Sequence, residues 1–140
     1  MKIYFAAAIS AGRDYAPVYE MIVNTLRDAD HLILTEHVAD QNVLELEKNI
    51  PAKKVFERDL RKLKEAELLV AEVSHPSTGV GYEIATMLSM KKPVLCLYLR
   101  GLNMSKMITG NTESGISLYA YESVDELLNA LPELIPDHKL

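Results

Sequence analysis

With one cysteine, Cys96, the chain cannot form an internal disulfide. That residue lies in the apolar run from Pro93 to Leu99 and is expected to pack as a small core side chain in a reducing compartment, the cytoplasm. No stretch approaches the roughly 18 apolar residues of a membrane span. The run from Ile3 to Ile9 after Lys2 is short and has a single flanking positive charge, so it reads as a first strand and not as a signal peptide. The four histidines, His31, His37, His75 and His138, show no metal-ligand spacing with one another or with Cys96, so no metal is expected. Walker-type loops, Gly-x-Gly-x-x-Gly turns and Gly-x-Ser-x-Gly elbows are missing, and Gly79-x-Gly81 is too short to mean dinucleotide binding. No cofactor is expected on these grounds. Internal repeats, low-complexity tracts and linkers are absent too. The 140 residues therefore read as one domain, 1–140, large enough for a real core. Positive charge is also in short supply: the net charge of −5 argues against non-specific binding to nucleic acid polymers or membranes.

What is present is organised around Leu68 to Met90. Leu68-Leu69-Val70-Ala71 is a short apolar run of the kind that makes a strand buried on both faces. Turn and cap formers follow from Ser74 to Gly79. Val80, Ile84, Met87 and Leu88 then recur on one helical face. A strand, a small-residue loop and a helix N-terminus in that order are how α/β proteins build an anion or ligand site. Glu83 falls in the first turn of that helix, on the inward face, three after Val80 and four before Met87. A carboxylate there is costly to bury without work or a partner.

The rest of the chain alternates strand and helix. Strands are expected at Lys2 to Ala8, His31 to Leu34, Pro93 to Leu99 and Ile116 to Tyr121, besides the central one. Helices are expected at Tyr15 to Ala29 and Pro51 to Ala66, with short ones at Asn42 to Glu47 and Met104 to Thr109. A closing helix from Ser123 to Leu131 has a capping box, Ser123 with Glu126, and Pro132 should end or kink it. Thr35 to Gln41 reads as irregular. Five strands separated by helices imply a doubly wound parallel sheet with helices on both faces, an α/β fold. Ligands bind such sheets beyond the carboxyl ends of the strands, which here collects Ala8 to Arg13, Thr35 to His37 and Ser74 to Glu83. Asp59 can reach that edge from its helix. It falls inside the stripe Val55, Phe56, Leu60 and Leu63, whereas Glu57, Arg58, Arg61 and Lys62 look solvated. Asp59 reads equally as an edge residue paired with an arginine. Glu72, at the end of the third strand, is open between a structural pair and a site residue.

Two carboxylates, Asp59 and Glu83, with Tyr4 on the first strand, meet the needs of glycosyl transfer. One carboxylate must be ionised to attack or shield the anomeric carbon, and a helix N-terminus favours that form by roughly 0.3–1 kcal/mol. The other must manage protons. The residues permit this chemistry without forcing it.

Tyr4-Phe5, Leu34-Thr35-Glu36-His37-Val38-Ala39, Asp59-Leu60, and Val70-Ala71-Glu72-Val73 leading to Pro76-Ser77-x-Gly79-Val80-Gly81-Tyr82-Glu83 resemble the nucleoside 2-deoxyribosyltransferase superfamily. Within it the chain is most similar to the hydrolytic branch, the 2′-deoxynucleoside 5′-phosphate N-hydrolases. The resemblance runs from Lys2 to about Tyr121. It implies a flavodoxin-like (Rossmann-like) fold with five parallel strands, and a homodimer. Glu83 would be the nucleophile, Tyr4 would orient it, and Asp59 would serve acid–base and sugar-binding roles. The substrate would be a deoxynucleoside monophosphate, bound by Ala7, Ile9, Ser10, Gly12, Arg13, His37, Ser77, Gly79 and Ser105. One departure stands out: Ala7-Ala8-Ile9-Ser10 replaces the Gly-Ser-Ile-Arg of the hydrolases, leaving Arg13 and the amides of Ala11 and Gly12 to compensate. Ser77 and Ser105 stand where the transferases usually carry aspartate and asparagine, and Ser105 is expected to come from the partner subunit. Both serines also read as plain helix caps. Deoxyribosyl transfer to a second base, hydrolysis of CMP-like ribonucleotides and a catalytically silent nucleotide-binding module are the other functions this pattern admits.

Overall fold

A computed structural model describes residues 1–9 and 13–136. Five strands form one parallel sheet in the order β2-β1-β3-β4-β5, with β1 at Lys2–Ala7, β2 at Leu32–Ile33, β3 at Leu68–Glu72, β4 at Val94–Leu99 and β5 at Ile116–Tyr121. This is the flavodoxin-like order, which reverses between β1 and β3. The helices are α1 (Ala16–Asp28), α2 (Val43–Glu47), α3 (Ala52–Glu65), α4 (Thr78–Ser89), α5 (Lys106–Thr109) and α6 (Val124–Leu134). None of the described helices is long and apolar enough to cross a membrane.

The period-two alternation of the strands divides the core between two layers. Ile3, Phe5 and Val70 pack under α1 and α6 against Tyr19, Ile22, Leu26, Leu127 and Leu131. Tyr4, Leu69 and Ala71 face α3 and α4, meeting Leu63, Val80, Ile84 and Met87. Because β3 lies at the centre with both faces covered, it has no polar residue before its last position, Glu72. Cys96 packs in the α3–α4 layer with no exposure, and burial pushes its thiol up to about 12. That is core packing, as expected.

The sequence reading departs from the structure at three places. Strand β2 is only two residues long, because a 3₁₀ turn, Glu36–Ala39, replaces the irregular chain expected there. Thr35 opens that turn fully buried: its hydroxyl accepts the Phe5 N–H at 2.8 Å and donates to the Phe5 carbonyl at 2.6 Å, so it locks the turn onto β1. Helix α6 continues past Pro132 to Leu134. A proline there costs one i→i−4 bond in the last turn, and the buried face of Leu127, Leu131 and Ile135 holds the helix together. Ser123 caps α6 through the Glu126 N–H, but Glu126 reaches back to the Glu122 N–H at 2.9 Å, one residue before the cap.

Candidate active site

Helix α4 begins at the carboxyl edge of the sheet because Ser77 caps it, accepting the Val80 N–H at 3.3 Å. Gly79 in its first turn and Glu83 in its second, not in the first as the sequence suggested, point toward α3, while Val80 and Ile84 enter the core. Glu83 meets the hydroxyl of Tyr4, which rises from β1 with 1% exposure and hydrogen-bonds the carboxylate. Asp59 comes from α3 to line the same cavity of about 170 Å³, together with Phe56, Leu60, Leu63, Gly79 and Tyr82. Tyr4, Asp59 and Glu83 are thus brought together from three separate elements.

Burial pushes the Glu83 carboxyl up to about 7; the Tyr4 hydrogen bond works against that rise and the Asp59 charge adds to it. Burial, then the Glu83 charge, holds the Tyr4 phenol far above its usual range, so Tyr4 acts as a hydrogen-bond donor and not as a base. The raised Glu83 value has a measurable cost. Its folded value lies near 7 against an ordinary 4.5, so the folded state holds an extra proton between those pH values. The stability this confers is present below about pH 4.5 and is lost as pH rises through about 7. Glu83→Gln cannot ionise. We expect it to melt close to the wild type at pH 5 and higher at pH 8, by on the order of 1–3 kcal/mol. Thermal melts at both pH values measure this; an offset that does not change with pH would contradict a buried ionisation at Glu83.

Asp59 also satisfies its other reading. Arg58 Nε donates to Asp59 Oδ1 at 2.8 Å, and Arg58 reaches Glu47 on α2 at 2.6 Å and His37 at 3.2 Å. Asp59 is both arginine-paired and cavity-lining. Arg58 is not solvated as its sequence context suggested: its side chain is 23% exposed and the two carboxylates hold its proton still more tightly. Lys62 is likewise half-buried. Sequence reasoning missed Arg58 and Glu47 because their pairing joins α2 to α3 across a turn. Adjacency to Asp59 was the one available signal. It also missed Phe56 and Tyr82 as site residues, an edge-on aromatic pair 6.3 Å apart that stays 50% and 57% exposed at the cavity. His37 lies beside this group, and burial lowers its pKa, with the Arg58 charge next in effect.

The remaining expected contacts sit elsewhere. Ala7 is buried in the α1–α6 layer and Ile9 packs against it, so their side chains face away from Glu83. Ser10, Ala11 and Gly12 lie outside the described residues. Arg13 donates to the carbonyls of Ala8 (3.0 Å), Val38 (2.6 Å) and Asp40 (2.8 Å), and its guanidinium lies 5.7 Å from the Tyr19 ring centre. As placed, it ties Ala8, just past the end of β1, to the 3₁₀ turn and its cap. Ser77 and Ser105 are both caps, and both line a second cavity of about 450 Å³ with His75, Met104 and Ile108, on the other side of α4 from Glu83. Gly79 links the two regions: a Cβ there would lie 3.9 Å from the Ser77 hydroxyl. Among the described residues, no group of three His, Cys, Asp or Glu side chains is placed to hold a metal ion.

Comparisons with known proteins bear on the fold and the family. The Clostridium botulinum CMP N-glycosidase has a similar fold, with a TM-score of 0.76 at 19% identity, over 96% of this chain and 100% of that one. The Thermofilum pendens protein named "Putative 2'-deoxynucleoside 5'-phosphate N-hydrolase 1" is 44% identical over 138 residues, 97% of this chain and 96% of its own. The 5-hydroxymethyl-dUMP N-hydrolase of Mus musculus is 37% identical over 135 residues, 91% of this chain and 78% of its own. The family model described as nucleoside 2-deoxyribosyltransferase matches residues 3–131, a span that holds Tyr4, Asp59 and Glu83, and the chain belongs to that family.

Proposed function

We propose that this chain is an N-glycosidase that hydrolyses 2′-deoxynucleoside 5′-monophosphates to free base and 2-deoxyribose 5-phosphate. The observation that carries the reading is the convergence of Asp59 and Glu83 on one cavity beside the start of α4, with the buried Tyr4 hydroxyl set against Glu83. The names of the relatives, N-hydrolases of deoxynucleotides, support water as the acceptor. A Glu83 carboxylate oxygen attacks C1′ as the C1′–N bond breaks, and the bonding electrons leave with the base. Tyr4 steadies the attacking carboxylate through its hydrogen bond. The departing base takes a proton through Asp59, which Arg58 holds in place. Water then attacks C1′ and gives its proton back to Asp59, and the C1′–O bond breaks to restore Glu83. The low-dielectric setting that raises the Glu83 pKa also strengthens its attraction to the developing oxocarbenium charge.

For the 5′-phosphate, the proposed holders are Ser77, the amides that open α4, and the stretch that ends at Arg13, whose guanidinium is anchored on the carbonyls of Ala8, Val38 and Asp40. Ser105 of a second copy completes the site, so the whole chain acts as one catalytic domain paired in a homodimer. Exposed Met107 (80%) on α5 and Tyr82 (57%) on α4 are the kind of apolar side chains a partner would cover. The deciding experiment follows base release from dGMP and from deoxyguanosine, with and without an added free base. We expect dGMP to be the better substrate and the added base to leave the products unchanged. Equal or faster cleavage of deoxyguanosine would remove the phosphate site, and a new nucleotide formed from the added base would make the chain a transferase. A verified monomer with full activity would show that Ser105 is not supplied in trans.

A further inference from the structure

On the face of the sheet opposite Glu83, the same edge carries a second buried carboxylate. Glu72 ends β3 with 0% exposure, in register with Ala7 of β1 and Leu97 of β4. A carboxylate cut off from water is tolerated only where donors surround it. Three do so here. The Ser74 N–H reaches Oε1 at 2.6 Å, the Ser74 hydroxyl reaches Oε2 at 3.1 Å, and the Tyr121 hydroxyl reaches Oε2 at 2.5 Å.

The two hydroxyl donors are each tied to a different segment. The Ser74 hydroxyl accepts the Leu99 N–H at 2.9 Å, which anchors the loop after β3 to the end of β4. With its own proton given to Glu72, the Tyr121 hydroxyl accepts from the Tyr15 hydroxyl. Tyr15 is the residue before α1, and its ring lies against His75 with centroids 5.1 Å apart. One carboxylate thus joins the turn that opens α1, the loop that leads to α4, and the ends of β4 and β5. An apolar side chain at position 72 would pack the strand end without such cross-ties, because dispersion contacts do not fix direction as hydrogen bonds to a charge do. Nothing in the hydrolytic step itself uses these groups, and they lie on the far side of the sheet from Tyr4.

The geometry points to Glu72 and Tyr121 as positioning residues for the 5′-phosphate of the substrate: they hold the α1 turn and the Ser74–Ser77 loop at the spacing that a phosphate bridging them requires. This rests on the reading that the phosphate binds between those two segments. A merely structural network would instead support the whole domain and affect every substrate alike.

Tyr121→Phe keeps the buried ring and removes the hydroxyl. Tyr15→Phe removes the outer hydroxyl while leaving every contact of Glu72 in place, and it serves if Tyr121→Phe folds poorly. Both are assayed on dGMP and on deoxyguanosine. The expected result is a KM for dGMP raised about tenfold by Tyr121→Phe, with kcat within about twofold, and unchanged constants for deoxyguanosine. Tyr15→Phe should move the same constant in the same direction by less. If a folded variant loses activity equally on both substrates, or keeps the wild-type preference for dGMP, the positioning role is overturned while the phosphate reading stands. If the wild type itself shows no preference for dGMP, the phosphate reading fails first, and the role given to Glu72 falls with it.

Discussion

Glu83→Ala will fold and will release base from a deoxynucleotide roughly 10⁴-fold more slowly than the wild type, or worse. An acid–base group alone accounts for about 10²–10⁴, and removal of a nucleophile reaches beyond that range because no neighbour can replace the covalent path. Tyr4 cannot substitute, since its phenol keeps its proton at any working pH. Asp59 belongs to α3 and is held by Arg58 at 2.8 Å. The fold should survive because Val80, Ile84 and Met87, not Glu83, provide the packing of α4. The same carboxyl sets the pH dependence. Only its ionised form attacks, so kcat/KM of the wild type falls as pH drops through about 7. Near-normal base release by Glu83→Ala, measured by chromatography of the free base, would end the nucleophile assignment. Together with the pH-dependent melting of Glu83→Gln, this places Glu83 where stability and activity pull in opposite directions: the charge that attacks is the charge that burial opposes.

Asp59→Asn should cost about 10²–10³ in kcat, because an amide cannot pass a proton to the leaving base or take one from water. The change keeps the shape of the side chain, and Arg58 retains Glu47 at 2.6 Å, so the link between α2 and α3 holds. A stability loss of about 1 kcal/mol is expected from the weakened pair, whose side chains are 23% and 25% exposed. Full activity in Asp59→Asn would return this residue to the role of arginine partner alone. Reduced activity with unchanged melting is the result that separates chemistry from structure at this position.

Local pattern carried most of the architecture. The apolar run Leu68-Leu69-Val70-Ala71, the helical spacing of Val80, Ile84, Met87 and Leu88, and the alternation of strands with helices each depend on neighbours within a few residues, and all are realised. Glu83 was legible for the same reason: a charge on the inward face of a helix start contradicts the pattern around it. The motif from Pro76 to Glu83 carried the family, which the match over residues 3–131 shows.

Tertiary structure decided what lies beyond that range. Arg58 is drawn inward by Glu47 from another helix, a pairing over 11 positions that no periodicity encodes. Arg13, a free cation in sequence, is occupied by three carbonyls because the 3₁₀ turn at Glu36–Ala39 folds back over it. Glu72 resolved from an open choice into a buried network only once β5 brought Tyr121 to it, 49 positions along the chain. The sequence by itself determined most of the elements and the family, and it singled out the two carboxylates as candidates, because those follow from local periodicity and a contiguous motif. Which polar groups stand free for a substrate, and which are consumed in holding the loops, depends on desolvation and hydrogen bonds between distant segments, and these exist only in the folded chain.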